Sequence, residues 1–140
     1  MATSAYYVAK PVVEIAQVTT ANTARDGTGT TVLVCAGPAT AAADGVGKRI
    51  ISITIKATGT TTAGMIRFFF SVDGGTNKRL CCEIPVVAIT ASASQPSFQT
   101  TVPDLVGYML QGTVSSAACN LYASTEKSET FNIIVSSATM

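Results

Sequence analysis

The sequence predicts an all-β fold, a β-sandwich or closed barrel in a single domain. Two observations carry this. Short runs alternate between apolar and polar residues, and Gly, Asp-Gly and Pro punctuate them at roughly 8–12 residue spacing. A third observation is negative. No window shows a helical period, and the Ala-rich stretch 39–43 follows Gly37-Pro38 and reads as a loop. At 140 residues the chain is one domain, long enough to bury a core without disulfides or metals.

Residues 1–11 end at Lys10-Pro11 and read as an extended arm, with Tyr6 and Tyr7 as apolar anchors for a protein contact. Residues 12–140 form the β domain. The first strand, 12–20, contains Val13, Ile15 and Val18. The second, 28–36, carries the β-branched run Thr31-Val32-Leu33-Val34-Cys35. In 49–57, Ile51, Ile53 and Ile55 share one face, and Ser52, Thr54 and Lys56 the other. In 65–73, Ile66, Phe68, Phe70 and Val72 point inward, with Arg67 and Ser71 outward. Phe69 breaks that alternation and is expected at a second interface.

Strand 77–86 repeats the scheme, with Leu80, Cys82 and Ile84 set against Arg79, Cys81 and Glu83. Segments 97–102, 108–115, 120–123 and 130–136 complete the set. Val72-Asp73-Gly74-Gly75-Thr76 is the best hairpin signal. Pro85, Pro96 and Pro103 fall near strand ends or edges, where a missing N–H is tolerated. The expected core is Ile51, Ile53, Ile55, Ile66, Phe68, Phe70, Leu80, Ile84 and Leu121.

Composition limits the chemistry. Histidine is absent, which removes imidazole acid–base catalysis, His zinc sites and Ser–His–Asp triads. Asp26 and Asp44 are isolated, so no calcium loop is formed, and the other acids are too scattered to pair for hydrolysis. Arg25-Asp26-Gly27-Thr28-Gly29-Thr30 and Asp44-Gly45-Val46-Gly47-Lys48-Arg49 lack the phosphate-loop spacing and read as turns. Cys35, Cys81, Cys82 and Cys119 form no C-x-x-C pair and read as free thiols. We therefore expect no enzyme, no catalytic residues, no cofactor and no metal.

Nine basic against eight acidic residues give a net charge of +1, which argues against a nucleic-acid partner. Charged residues are only 12%, and outward positions are rich in Thr and Ser. Such a surface packs on another protein without stripping water from many ions. No segment has the form of a signal peptide or of a membrane span of about 20 apolar residues.

Three stretches resemble a known group. Arg25-Asp26-Gly27-Thr28-Gly29, residues 53–67 and Glu83-Ile84-Pro85-Val86 are similar to small structural proteins of tailed bacteriophages, in particular cement (decoration) proteins of the head. The resemblance covers residues 25–134, and the loop 37–47 is longer than the family's usual form. It implies a jelly-roll sandwich of about eight antiparallel strands. It also implies a location on the outer surface of the virion, after synthesis in the host cytoplasm. The partners it implies are the major capsid protein and a second copy in a homodimer, with capsomers bridged and no nucleic acid or membrane bound. The alternatives are a head-fibre or tail-fibre receptor-binding domain, and a carbohydrate-binding β-sandwich module. The absence of Trp weakens the last.

Overall fold

The computed structural model describes residues 10–38, 47–111 and 118–139. Nine strands follow in chain order: β1 (Lys10–Val18), β2 (Val32–Ala36), β3 (Lys48–Ala57), β4 (Gly64–Ser71), β5 (Arg79–Val86), β6 (Gln99–Thr101), β7 (Met109–Leu110), β8 (Asn120–Thr125) and β9 (Phe131–Thr139). β1 takes in Lys10 and Pro11, so the strand begins two residues inside the segment read as an arm. Residues 1–9, with Tyr6 and Tyr7, lie outside the described residues.

The strands form two antiparallel sheets. One runs β1-β9-β3-β6, with β7 also pairing β3; the other runs β2-β8-β4-β5. The pairs β1·β9, β2·β8, β3·β6 with β7, and β4·β5 are nested like the two limbs of one long hairpin rolled into a sandwich. This connectivity is the jelly roll. Pairing of β9 with β1 on one side and with β3 on the other, nine residue pairs each, explains why those three strands run long.

Between the sheets, Ile53, Ile55, Ile133 and Val135 of the first meet Val34, Ile66, Phe68 and Leu121 of the second. The rings of Phe98 and Phe131 meet edge to face at 6.4 Å. Lys48 also points into the sandwich. It pairs with the Glu14 carboxylate and donates to the Ala36 carbonyl at 3.1 Å, so a buried cation is neutralised and tied to both sheets.

Two bulges correct the expected core. The β3–β9 register slips between Ile50 and Ser52. Ile50 therefore takes the buried place, and Ile51 is 42% exposed. The β4–β5 register slips between Phe68 and Phe69, which leaves Cys81 unpaired and sets Leu80 opposite Phe69. Leu80 is 36% exposed as a result. One extra residue in a period of two reverses every side chain beyond it. Ile53, Ile55, Ile66, Phe68 and Leu121 are buried as expected, while Phe70 and Ile84 are partly buried against the core.

The connection from β1 to β2 crosses the outer face of the second sheet. Asn22 donates its backbone N–H to the Thr125 carbonyl, and Arg25 reaches Glu83 on β5. Gly27 has φ +87 and its Cα abuts the Lys78 carbonyl, so the crossing needs a residue without Cβ there. Gly75, at φ +101, lies as closely against the Tyr122 hydroxyl.

Candidate functional site

The most distinctive surface is the outer face of the β1-β9-β3-β6 sheet. Strand alternation sends Val12, Glu14, Ala16 and Val18 toward the sandwich and Val13, Ile15 and Gln17 away from it. Val13 is 63% exposed and Ile15 67%, the two most exposed large apolar side chains among the described residues.

Cross-strand register arranges this face in rows. Val13 aligns with Ser136 and Ser52; Ile15 aligns with Ile134, Thr54 and Thr101. On one side lies the row Gln17, Asn132, Lys56 and Gln99, in which Gln17 Nε2 donates to Asn132 Oδ1 at 3.0 Å. On the other side lies the row Pro11, Ala138, Arg49 and Met109. The centre is thus aliphatic and hydroxylic, and each flanking row carries one cation. Among the described residues, no outward position of these strands carries a carboxylate.

The edges offer less. An edge strand exposes unpaired backbone groups, and proteins block such edges with Pro, bulges, inward charges or shortness. β1 carries Pro11 and the inward Glu14. β2 slips register between Leu33 and Cys35. β5 has Pro85 and the Cys81 bulge, and β6 is three residues long. Every edge among the described residues has at least one such device, so contact through a face is favoured over strand addition.

The outer face of the second sheet is covered at its centre, while Leu33 and Leu80 at the two ends of its middle row stay exposed. Phe69 is 0% exposed and lies outside the main core, between its register partners Tyr122 and Leu80. It broke the alternation because this face is also packed. Being buried within its own chain, it is unavailable as an interface residue, which corrects the expectation. Arg67 is 3% exposed on the same face, with its Nε 2.8 Å from Glu83 Oε1 and its Nη2 3.8 Å from Glu126 Oε2. The same Glu83 oxygen accepts from Arg25 Nε at 2.7 Å. Sequence spacing gave no reason to pair any acids, yet Glu83 and Glu126 approach one guanidinium. Hydrogen bonds from Arg25 and then Arg67 hold Glu83 below its ordinary pKa. It is an ionised structural partner.

The remaining polar groups are local. Asp26 accepts from the Thr28 N–H and hydroxyl, which makes 25–30 a closed turn. Asp73 accepts from Ser71 Oγ, the Asn77 N–H and Asn77 Nδ2. Asp44 lies outside the described residues. All four cysteines are free. Burial, then Glu14, pushes the Cys35 thiol up to about 12. Cys81 sits at the bulge beside an open depression formed with Leu80, Cys82 and Glu83, and its sulfur donates to the Phe68 carbonyl at 3.3 Å. Among the described residues no three His, Cys, Asp or Glu side chains gather as a metal site. No helix of the described residues is long and apolar enough to cross a membrane.

Sequence reasoning missed the exposed Val13–Ile15 pair. The signal was present in β1, which is apolar at both parities around Glu14. A strand apolar on both sides covers two surfaces, and here only one lies among the described residues. The fold and this face define a jelly-roll β-sandwich with one sheet open. No protein-family model matches the chain, and no curated protein matches it.

Proposed function

We propose that the chain is a structural protein of a tailed-phage virion, a cement protein docked on the outside of the major capsid protein shell. Its strands follow jelly-roll connectivity, as the resemblance over residues 25–134 implies. The observation that carries the reading is the open sheet: a face that is aliphatic and hydroxylic at its centre, with one cation in each flanking row, on a chain whose other sheet face is packed at its centre. Such a face loses little ionic hydration on docking, and solvent-exposed aliphatic groups gain by burial at about 25 cal/mol per Å².

Bridging follows from a homodimer joined outside the open sheet face. Two linked copies hold two capsomers, and the second attachment gains from effective concentration. Tyr6 and Tyr7 are the proposed anchors of the arm. Quantitative gel densitometry of purified virions tests the reading. A cement protein is present in many copies, in fixed ratio to the capsid protein. A few copies per particle would instead identify a fibre domain.

A further inference from the structure

We infer that the outer face of β1-β9-β3-β6 docks on a protein surface that is apolar at its centre and carries carboxylates on two opposite sides, and that a second copy of this chain does not fit it. The identity of that surface as a capsid shell rests on the proposed function; the chemistry of the face does not.

The argument starts from β3. Arg49 and Lys56 both lie on the outward side, near the two ends of the strand. At ~3.3 Å per residue they are about 20 Å apart. Between them lie only Ile51, Ser52 and Thr54 on β3, with Val13, Ile15, Ile134 and Ser136 beside them. Lys56 Nζ donates to the Ser97 carbonyl at 3.1 Å, which fixes its position while leaving its charge uncompensated by that contact. The acids of the neighbouring strands are engaged elsewhere: Glu14 turns inward to Lys48, and Glu83 faces Arg67 on the other sheet.

An apolar strip between two cations selects its complement. A partner carboxylate opposite each cation steers encounter and fixes register, while the aliphatic centre supplies the burial. Among the described residues, the same face of a second copy brings only the same two cations and no acid, so face-to-face pairing meets like charge. The blocked edges remove strand addition as the competing mode.

The test uses the full chain and three variants. Ile15→Asp puts a carboxylate in the centre. Arg49→Glu with Lys56→Glu reverses both flanks. Val87→Asp is the control, an exposed position outside this face. All four are first shown to share one circular dichroism spectrum and one urea midpoint. They are then eluted from a resin whose ligands carry both a phenyl and a carboxylate group, and titrated against shells stripped of the protein. The expected result is that either face variant weakens retention and shell affinity by about tenfold or more, while Val87→Asp behaves as wild type. The effect of the charge reversal should fade near 1 M salt, where the Debye length is about 3 Å, and that of Ile15→Asp should persist.

Wild-type retention by both face variants would overturn the inference, as would a loss confined to the charge reversal. If the resin result holds but the wild type does not bind shells, the docking face stands and the cement reading falls.

Discussion

Arg67 and Glu83 face each other across β4 and β5, with Nε 2.8 Å from Oε1, on a sheet face that the β1–β2 connection covers. A charge that is 3% exposed depends on its partner.

Glu83→Gln should therefore destabilise the fold. Breaking a fully buried pair costs about 3–5 kcal/mol; here Glu83 is half-open to water and Glu126 stands near, so about 2–3 kcal/mol is expected. The acid limb carries the same information. Glu83 has a lowered pKa in the fold. Its contribution is complete above the ordinary carboxylate range and is lost as pH falls through the lowered value. Urea midpoints measured downward from pH 6 should drop less steeply in the variant. Parallel curves would show that Glu83 carries none of the acid sensitivity.

Asp73 gives a sharper titration. The Asn77 N–H first, then Ser71 and Asn77 side chains, hold its carboxyl down to about 2. Carbon-detected NMR of the side-chain carboxyl should find a midpoint near that value, and Asn77→Ala should raise it. The turn is stabilised by the ionised form above the ordinary Asp range and loosens only as pH falls toward the lowered value. A midpoint at an ordinary Asp value would mean that the turn does not close in solution.

Core truncation separates the two readings of β3 and β4. Phe68→Ala should cost about 3–5 kcal/mol, because the ring is fully buried. Ile51→Ala should change stability by about 0.5 kcal/mol or less, since the side chain is bulged out of the ladder. Equal losses in chemical denaturation would place Ile51 back in the core.

The Cys35 thiol should be slow to alkylate. Cys35 is fully buried, and burial lifts its thiol to about 12, so little thiolate exists at pH 8; Cys81 is exposed at the bulge. Mass spectrometry after iodoacetamide treatment should find Cys35 unmodified in buffer and labelled in urea, with Cys81 labelled ahead of it in buffer. Rapid labelling of Cys35 in buffer would mean that the sandwich opens between its sheets.

All nine strands were legible from alternation and turn residues, because period two and glycine chemistry are local properties. Their faces were less so. Ile51 and Leu80 read as inward because a bulge leaves no mark in a run of apolar residues; it exists only against the partner strand. Phe69 was visible as an irregularity, but its cause is a chain crossing that no local pattern contains. The open face was half-written in Val13 and Ile15. Deciding which parity is buried required knowing that Val12, Glu14 and Val18 meet the second sheet.

The pairing of β1 with β9 sets Lys10 beside Thr139, the first and last described residues of the chain. The ladder that holds the larger sheet together thus cannot close until all of residues 10–139 are in hand. Loop-closure entropy opposes that step, so folding is expected in milliseconds to seconds rather than microseconds. It also makes the molecule nearly circular. A short glycine link from residue 139 to residue 10, with the chain reopened between β5 and β6, would turn its most distant contact into its most local one. Such a permutant, which lacks residues 1–9, should fold faster while keeping the open face of the β1-β9-β3-β6 sheet.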